Sequence, residues 1–265
     1  MNMTLRFIIT IVFAALCSFS SMNCEVPNNK NKVIAHRGAW KQKQLPQNSI
    51  ASLKQAIELK CAGSEFDVRM TSDSVLIINH DKEYNGLPIE ETKYADLLKF
   101  KLSNGEKLPT LKEYLIAGMS NNTTTGLVCE IKPSKNKERG KFIATKVVDL
   151  VKNLKATPYM ALYISFDYDI LKEITKISQT KTQYLKGNKS PDEVKADGIS
   201  GIDYYLKIFK DHPEWIKRAK EIGVSLNAWT VNKPDDIDWL LENNFDFITT
   251  NEPELLLKKV GSIKD

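Results

Sequence analysis

From residue 33 onward, short apolar runs rich in β-branched residues alternate with longer segments whose apolar positions recur at helical spacing. The runs fall at 33 to 36, 64 to 69, 75 to 79, 127 to 132, 160 to 165, 183 to 187, 198 to 202, 224 to 229 and 246 to 249, nine predicted strands. Between them, Asn48 to Cys61 places Ile50, Leu53, Ala56, Ile57 and Cys61 on one helical face. Strands alternating with helices predict parallel pairing through crossovers. One pair cannot follow that rule. Only five residues separate Arg69 from Val75, too few for a parallel connection, so these strands predict an antiparallel hairpin. With Asp73-Ser74 as a two-residue turn, His80 would stand opposite Asp67 and share a face with Glu65. Setting the returning strand aside leaves eight, and eight parallel strands with intervening helices predict a (β/α)8 TIM barrel. The stretch from Lys82 to Thr125, with Asn85-Gly86, Asn104-Gly105 and a helix near Leu111 to Met119, is expected to be an insertion over the barrel mouth.

The polar residues that interrupt these runs collect at strand ends, where barrel active sites lie. His36 and Arg37 end the first barrel strand, Glu65 and Asp67 lie toward the end of the second, and Glu130 and Lys132 end the third. Trp229 ends the seventh, and Thr250 with Asn251 ends the eighth. Glu65, Asp67 and Glu130 are flanked by apolar residues, and a carboxylate inside a barrel is costly unless paired or metal-bound. Hard oxygen ligands favour one divalent cation, Mg2+ or Ca2+, over zinc. The structural alternative is pairing of these acids with Arg37, Arg69 and Lys132. Of the three histidines in the chain, His36 and His80 have the pKa range of an acid and base at neutral pH. His212 sits at a loop-to-helix start and is expected to be exposed. Arg37 and Lys132 suit phosphate oxygens. Trp229 is a candidate wall for an apolar part of the substrate or a core residue, and Asn48 or Ser49 a candidate helix cap.

Composition refines this picture at the chain's start. The 265 residues are 42% hydrophobic and 27% charged, ordinary globular proportions. Arg6 precedes an apolar run from Phe7 to Phe19, too short to span a bilayer, so residues 1–24 are expected to be an export signal, followed by a polar linker over 25–32 and the barrel domain over 33–265. Three outcomes are open: a free periplasmic protein, an apolar segment retained as an anchor, or tethering to the membrane by a lipid on Cys24. Cys61 and Cys129 show neither a disulfide framework nor zinc spacing and are expected to be small buried hydrophobes. The net charge of +5 comes from scattered lysines and gives no basis for a nucleic-acid partner.

His36-Arg37-Gly38, Pro46-Gln47-Asn48-Ser49, Glu65-Phe66-Asp67-Val68, His80-Asp81, Leu108-Pro109-Thr110-Leu111, Glu130-Ile131-Lys132 and Trp229-Thr230-Val231-Asn232 occur in the order seen in the glycerophosphodiester phosphodiesterase family. Each motif is weak alone, but seven in register are specific, and the resemblance covers residues 33 to 258. It implies a TIM barrel, a divalent cation, and hydrolysis of a small glycerophosphodiester to glycerol 3-phosphate and an alcohol. It further implies Glu65, Asp67 and Glu130 as metal ligands, His36 and His80 as acid and base, and Arg37 and Lys132 as phosphate contacts. The chain departs from the family pattern at Gln47, where a glutamate is usual, at Ser74, where glycine is usual, after Asp81, and at Asn251, where aspartate is common. Two rivals are a phospholipase-type enzyme that acts on intact lipid or releases a cyclic phosphate, and a surface protein that binds phosphodiesters without turnover.

Overall fold

The computed structural model describes residues 31–261. The predicted export signal and Cys24 lie outside these residues. Eleven strands are described: β1 Val33–Ala35, β2 Gly63–Met70, β3 Leu76–Ile78, β4 Glu83–Tyr84, β5 Leu87–Pro88, β6 Gly126–Ile131, β7 Met160–Ser165, β8 Thr182–Tyr184, β9 Gly201–Tyr205, β10 Ser225–Trp229 and β11 Phe247–Thr250. Eight of them pair in parallel, running β1, β11, β10, β9, β8, β7, β6, β2, and a further β1–β2 pairing closes the ring. The predicted (β/α)8 barrel is therefore the fold. Each strand has one face toward the barrel interior and one toward the helices, so its residues are apolar on both sides except where chemistry intervenes.

The helices are α1 Ile50–Glu58, α2 Tyr94–Leu97, α3 Leu111–Met119, α4 Lys137–Asn153, α5 Tyr168–Ile177, α6 Pro191–Ala196, α7 Leu206–Asp211, α8 Pro213–Ile222, α9 Pro234–Glu242 and α10 Pro253–Lys259. On β2, Phe66, Val68 and Met70 face this outer layer. Phe66 is fully buried with its ring 4.7 Å from that of Tyr114 on α3, a contact that stabilises the fold by about 2 kcal/mol or more. Inside the ring, Ile34, Val128, Leu162, Ile164 and Leu185 form a separate apolar layer. Gly63 makes room for it, since a Cβ there would meet Ile34 Cδ1 at 2.7 Å. The interior is thus packed below and polar above. Cys61 and Cys129 are buried thiols.

Three expectations change in detail. The hairpin pairs Val68 with Ile78, Arg69 with Ile77 and Met70 with Leu76, one residue out of the predicted register. Its loop holds three residues rather than two, with Ser74 at φ +62° in the left-handed region and Thr71 N–H donating to Val75 O at 3.0 Å. Asn79, not His80, therefore comes level with Asp67, its N–H donating to Asp67 O at 3.0 Å. Second, the helix expected within the insertion is α3, which begins at a Thr110–Glu113 capping box and packs against α1 and β3 as an ordinary crossover. The insertion is accordingly shorter, ending at Thr110, with a small core of Ile77, Tyr84, Ile89, Leu97 and Leu108. Glu90 ties it to the carboxyl-end rim of the barrel, accepting from Ser134 Oγ at 2.8 Å just after β6. Third, the strand expected at 198 to 202 is β9, three residues later, because Gly198 takes φ +76° in a turn.

At the opposite end, Asn31 and Lys32 close the predicted linker and already bind the barrel floor. Asn31 Oδ1 accepts from Ala62 N at 2.9 Å, and Lys32 Nζ donates to Phe245 O at 2.6 Å.

Candidate active site at the barrel mouth

The turn after β1 builds the first part of the site. Arg37 takes φ +58° and Gly38 φ +81°, and a Cβ on Gly38 would lie 2.5 Å from Ser52 Oγ. Only glycine lets the chain turn this tightly against α1. The turn aims Arg37 N–H at Glu65 Oε2, 2.8 Å away, and sets Arg37 Nε 3.5 Å from Asp67 Oδ2. It leaves His36 in the mouth, Nε2 4.0 Å from Glu65 Oε2, while Nδ1 pairs with Asn251 Oδ1 at 2.8 Å. That pairing assigns the Nδ1 proton and leaves Nε2 as the basic nitrogen.

Glu65, Asp67 and Glu130 offer oxygens that all lie within 4.8 Å of one another, and all three residues are buried. Burial and the neighbouring carboxylates Asp67 and Glu130 push the Glu65 carboxyl well above its ordinary range. Burial and Asp67 raise Glu130 to about 7. Asp67 is lowered instead: burial works against its charge, but Lys132, His80, Asn48 and Arg37 together prevail. Lys132 Nζ stands 2.7 Å from Glu130 Oε1 and 3.2 Å from Asp67 Oδ1. Although burial opposes its charge, these acids hold its pKa above the ordinary value. Glu65 Oε1, buried, has no hydrogen-bond partner. Converging hard oxygens, two of them on acids pushed toward neutrality and one unpartnered, fit a divalent cation as the missing positive charge.

His80 follows β3 and lines the same cavity as His36, Arg37, Glu65, Glu130 and Lys132. The shifted register does not remove it, because β3 ends at Ile78 and His80 lies beyond the paired residues. Arg69, an alternative partner for the acids, donates from Nε to His80 O at 2.9 Å and holds this turn. His80 Nδ1 lies 2.8 Å from Asp81 Oδ1. Burial lowers the pKa of both histidines, of His36 to about 4 with Arg37 as the next cause. The third, His212, is outside the site, stacked on Trp215 with ring centroids 4.4 Å apart.

Two of the family departures acquire partners. Gln47 Oε1 accepts from Arg37 Nη1 at 2.7 Å, and Asn251 is the residue that orients His36. Asn48, read as a candidate cap, does something else. Its amide clamps Asp67, donating from Nδ2 to Oδ2 at 2.8 Å and accepting from the Asp67 N–H at 3.1 Å, while Ser49 caps α1. Trp229 does line the cavity, with Ile164, Phe166, Leu185 and Asp203. Asp203 was not among the candidates, because the expected strand stopped one residue short of it.

A phosphate diester is anionic throughout the neutral range, and cleaving it calls for positive charge beside phosphorus and separate groups to accept and return a proton. This mouth is built for that, and the protein is a phosphoric diester hydrolase. A family model described as the glycerophosphoryl diester phosphodiesterase family matches residues 36–255, and the chain belongs to that family. A glycerophosphodiester phosphodiesterase of Caldanaerobacter subterraneus subsp. tengcongensis is 29% identical over 248 residues, 87% of this chain and 98% of that protein. The crystal structure of a glycerophosphodiester phosphodiesterase from Parabacteroides distasonis is 40% identical, with a TM-score of 0.84 over 88% of this chain and 98% of the other. A phosphodiesterase from Oleispira antarctica, solved in complex with its product sn-glycerol-3-phosphate, shares the fold at 21% identity and a TM-score of 0.75, over 87% of this chain and 96% of the other.

Proposed function

We propose that this protein hydrolyses small glycerophosphodiesters to glycerol 3-phosphate and an alcohol, with one Mg2+ or Ca2+ held by Glu65, Asp67 and Glu130. The observation that carries this reading is the cluster of those three buried carboxylates, of which Glu65 and Glu130 line one cavity with His36, His80, Arg37 and Lys132, while Asp67 lies behind them 3.2 Å from Lys132 Nζ. The product bound by the Oleispira antarctica relative supports the choice of substrate. A cation bound there supplies charge that stabilises oxygens on phosphorus.

The chain's own groups divide the remaining work. Arg37 offers a planar fork and Lys132 a point charge for the non-bridging oxygens. His36, neutral at pH 7 because it is buried beside Arg37, accepts a proton at Nε2 from the attacking hydroxyl or water. His80, oriented through Asp81, gives one to the departing alcohol; burial lowers its pKa, and Asp67, Asp81 and the anionic diester favour its protonated form against that. Trp229 and its neighbours shield that side of the cavity from water. Phosphorus NMR on glycerophosphocholine and glycerophosphoethanolamine tests this reading. Glycerol 3-phosphate should accumulate with Mg2+ or Ca2+, and a transient cyclic phosphate would identify the substrate's own hydroxyl as nucleophile. Unchanged turnover after treatment with EDTA would remove the metal from the scheme.

We also propose that residues 1–24 direct export, leaving a periplasmic protein or one tethered by a lipid on Cys24. The apolar run from Phe7 to Phe19 behind Arg6 supports export. Recovery of full-length, unprocessed protein in the cytosolic fraction would overturn it.

A further inference from the structure

The wall formed by β7 to β10 contains one feature that the proton-transfer scheme leaves unused. Asp203, in the middle of β9, is 1% exposed, lines the catalytic cavity, and has an Oδ1 without a hydrogen-bond partner. Asn227 bonds the side chain, but an acceptor oxygen left unpartnered in the interior still costs about 1–3 kcal/mol, so the retention of Oδ1 points to a ligand that completes it.

The groups around it narrow the ligand's chemistry. Trp229 stands beside Asp203, its indole Nε1–H fixed to Asp203 O at 2.8 Å. Phe166 meets the Trp229 ring edge-to-face, with centroids 5.3 Å apart at 79°. Tyr205, 53% exposed, extends this surface outward at 5.8 Å from Trp229. Ring faces attract ammonium groups and give nothing comparable to a hydroxyl. The Phe166 ring already has Lys132 Nζ 5.8 Å from its centroid. A buried carboxylate and joined aromatic rings that line one cavity with Arg37 and Lys132 therefore suit an organic cation.

We propose that Asp203, Phe166 and Trp229 form the subsite for the alcohol headgroup, and that Asp203 makes this site favour headgroups that carry an ammonium over neutral ones. This rests on the hydrolytic reading above. The test compares kcat/KM for glycerophosphoethanolamine and glycerophosphocholine with that for glycerophosphoglycerol, which has a neutral headgroup, in the wild type and in Asp203→Asn. The wild type should favour the ammonium substrates by about tenfold or more, and Asp203→Asn should shrink that ratio to within about threefold, chiefly through KM. Equal rates in the wild type, or an unchanged ratio in the variant, would overturn the subsite. Should Asp203→Asn fail to fold, competition on the wild type decides: free choline or ethanolamine should inhibit at least tenfold better than glycerol, and equal inhibition overturns the idea. Calorimetric titration of the wild type with choline reads the subsite even if no diester is turned over, which separates its failure from failure of the hydrolytic assignment.

Discussion

The two halves of the barrel mouth are made differently. On β1, β2 and β6 the side chains entering the cavity are charged and tied to each other: Glu65 to the Arg37 backbone, Asp67 to Asn48, and Glu130 to Lys132. On β7 to β10 and just after them they are Ile164, Phe166, Leu185 and Trp229, with Asp203 the one charged residue and Thr230 the other polar one. The first half is over-determined, since each acid has at least two fixed neighbours and a small displacement of one moves the rest. The second is held by packing, which tolerates substitution better. Chemistry that needs groups placed within a fraction of an ångström belongs on the first, and discrimination between substrates on the second.

Substitutions that break the charged half should have the largest effects. His36→Ala and His80→Ala should each lower turnover by about 10²-fold or more, the usual worth of a positioned acid or base. Steady-state kinetics with saturating Mg2+ checks this, and a near-normal rate in either variant would remove that histidine from proton transfer.

Stability should register the same network with opposite signs from two of its members. The folded chain refuses a proton at His36 down to about pH 4, whereas the unfolded chain binds one below 6.5, so this group's share of stability falls as pH drops through that window. Glu130 holds its proton up to about pH 7 in the fold but only to 4.5 unfolded, so its share falls as pH rises. In EDTA, the change in unfolding free energy from pH 4.5 to 6.5 should therefore be more favourable in Glu130→Gln than in His36→Gln, by about 2 kcal/mol or more at roughly 1.4 kcal/mol per pKa unit. Urea titrations at the two pH values measure it; identical changes would mean that neither group is perturbed as described.

On the apolar half, Trp229→Leu should raise KM by about tenfold and change kcat less, because it alters the cavity lining and leaves the proposed proton-transfer groups in place. A fall in kcat as large as that of the histidine variants would show that the two halves are one unit, and the comparison would collapse.

The same contrast governs what could be read from the chain. Glu65, Asp67 and Glu130 stand out because each interrupts an apolar strand, and alternation on β2 places the first two on one face without any knowledge of the fold. The apolar wall is written in the alphabet of the core, so Phe166 and Leu185 carry no mark. Asp203 does interrupt a strand, but the apolar run was placed three residues early, because Gly198-Ile199-Ser200 reads equally as a strand start and as the turn it is. Asn48 was hidden differently, since an asparagine before a helix already has a sufficient explanation as a cap. Only the position of its amide against Asp67 separates the two roles.

The smallest effect tests how His80 reaches the charged half. A two-residue hairpin turn of the favoured kind needs positive φ at both Asp73 and Ser74, whereas the three-residue loop needs it at Ser74 alone. Ser74 sits at φ +62° and Asp73 is not among the residues with positive φ. Ser74→Gly should thus relieve left-handed strain and stabilise the protein by up to about 1 kcal/mol, net of the backbone freedom glycine brings to the unfolded chain. Asp73→Gly should do the reverse, because the Asp73 carboxylate accepts from Thr71 Oγ1 at 2.6 Å and from Tyr94 N–H at 3.0 Å, joining the hairpin to the insertion. Urea denaturation of the two variants separates the registers: stabilisation by both would favour the two-residue turn and put His80 back opposite Asp67. In the three-residue register His80 lies beyond the ladder and depends on the Arg69 bond to its carbonyl, so its placement is a property of that turn and not of strand pairing.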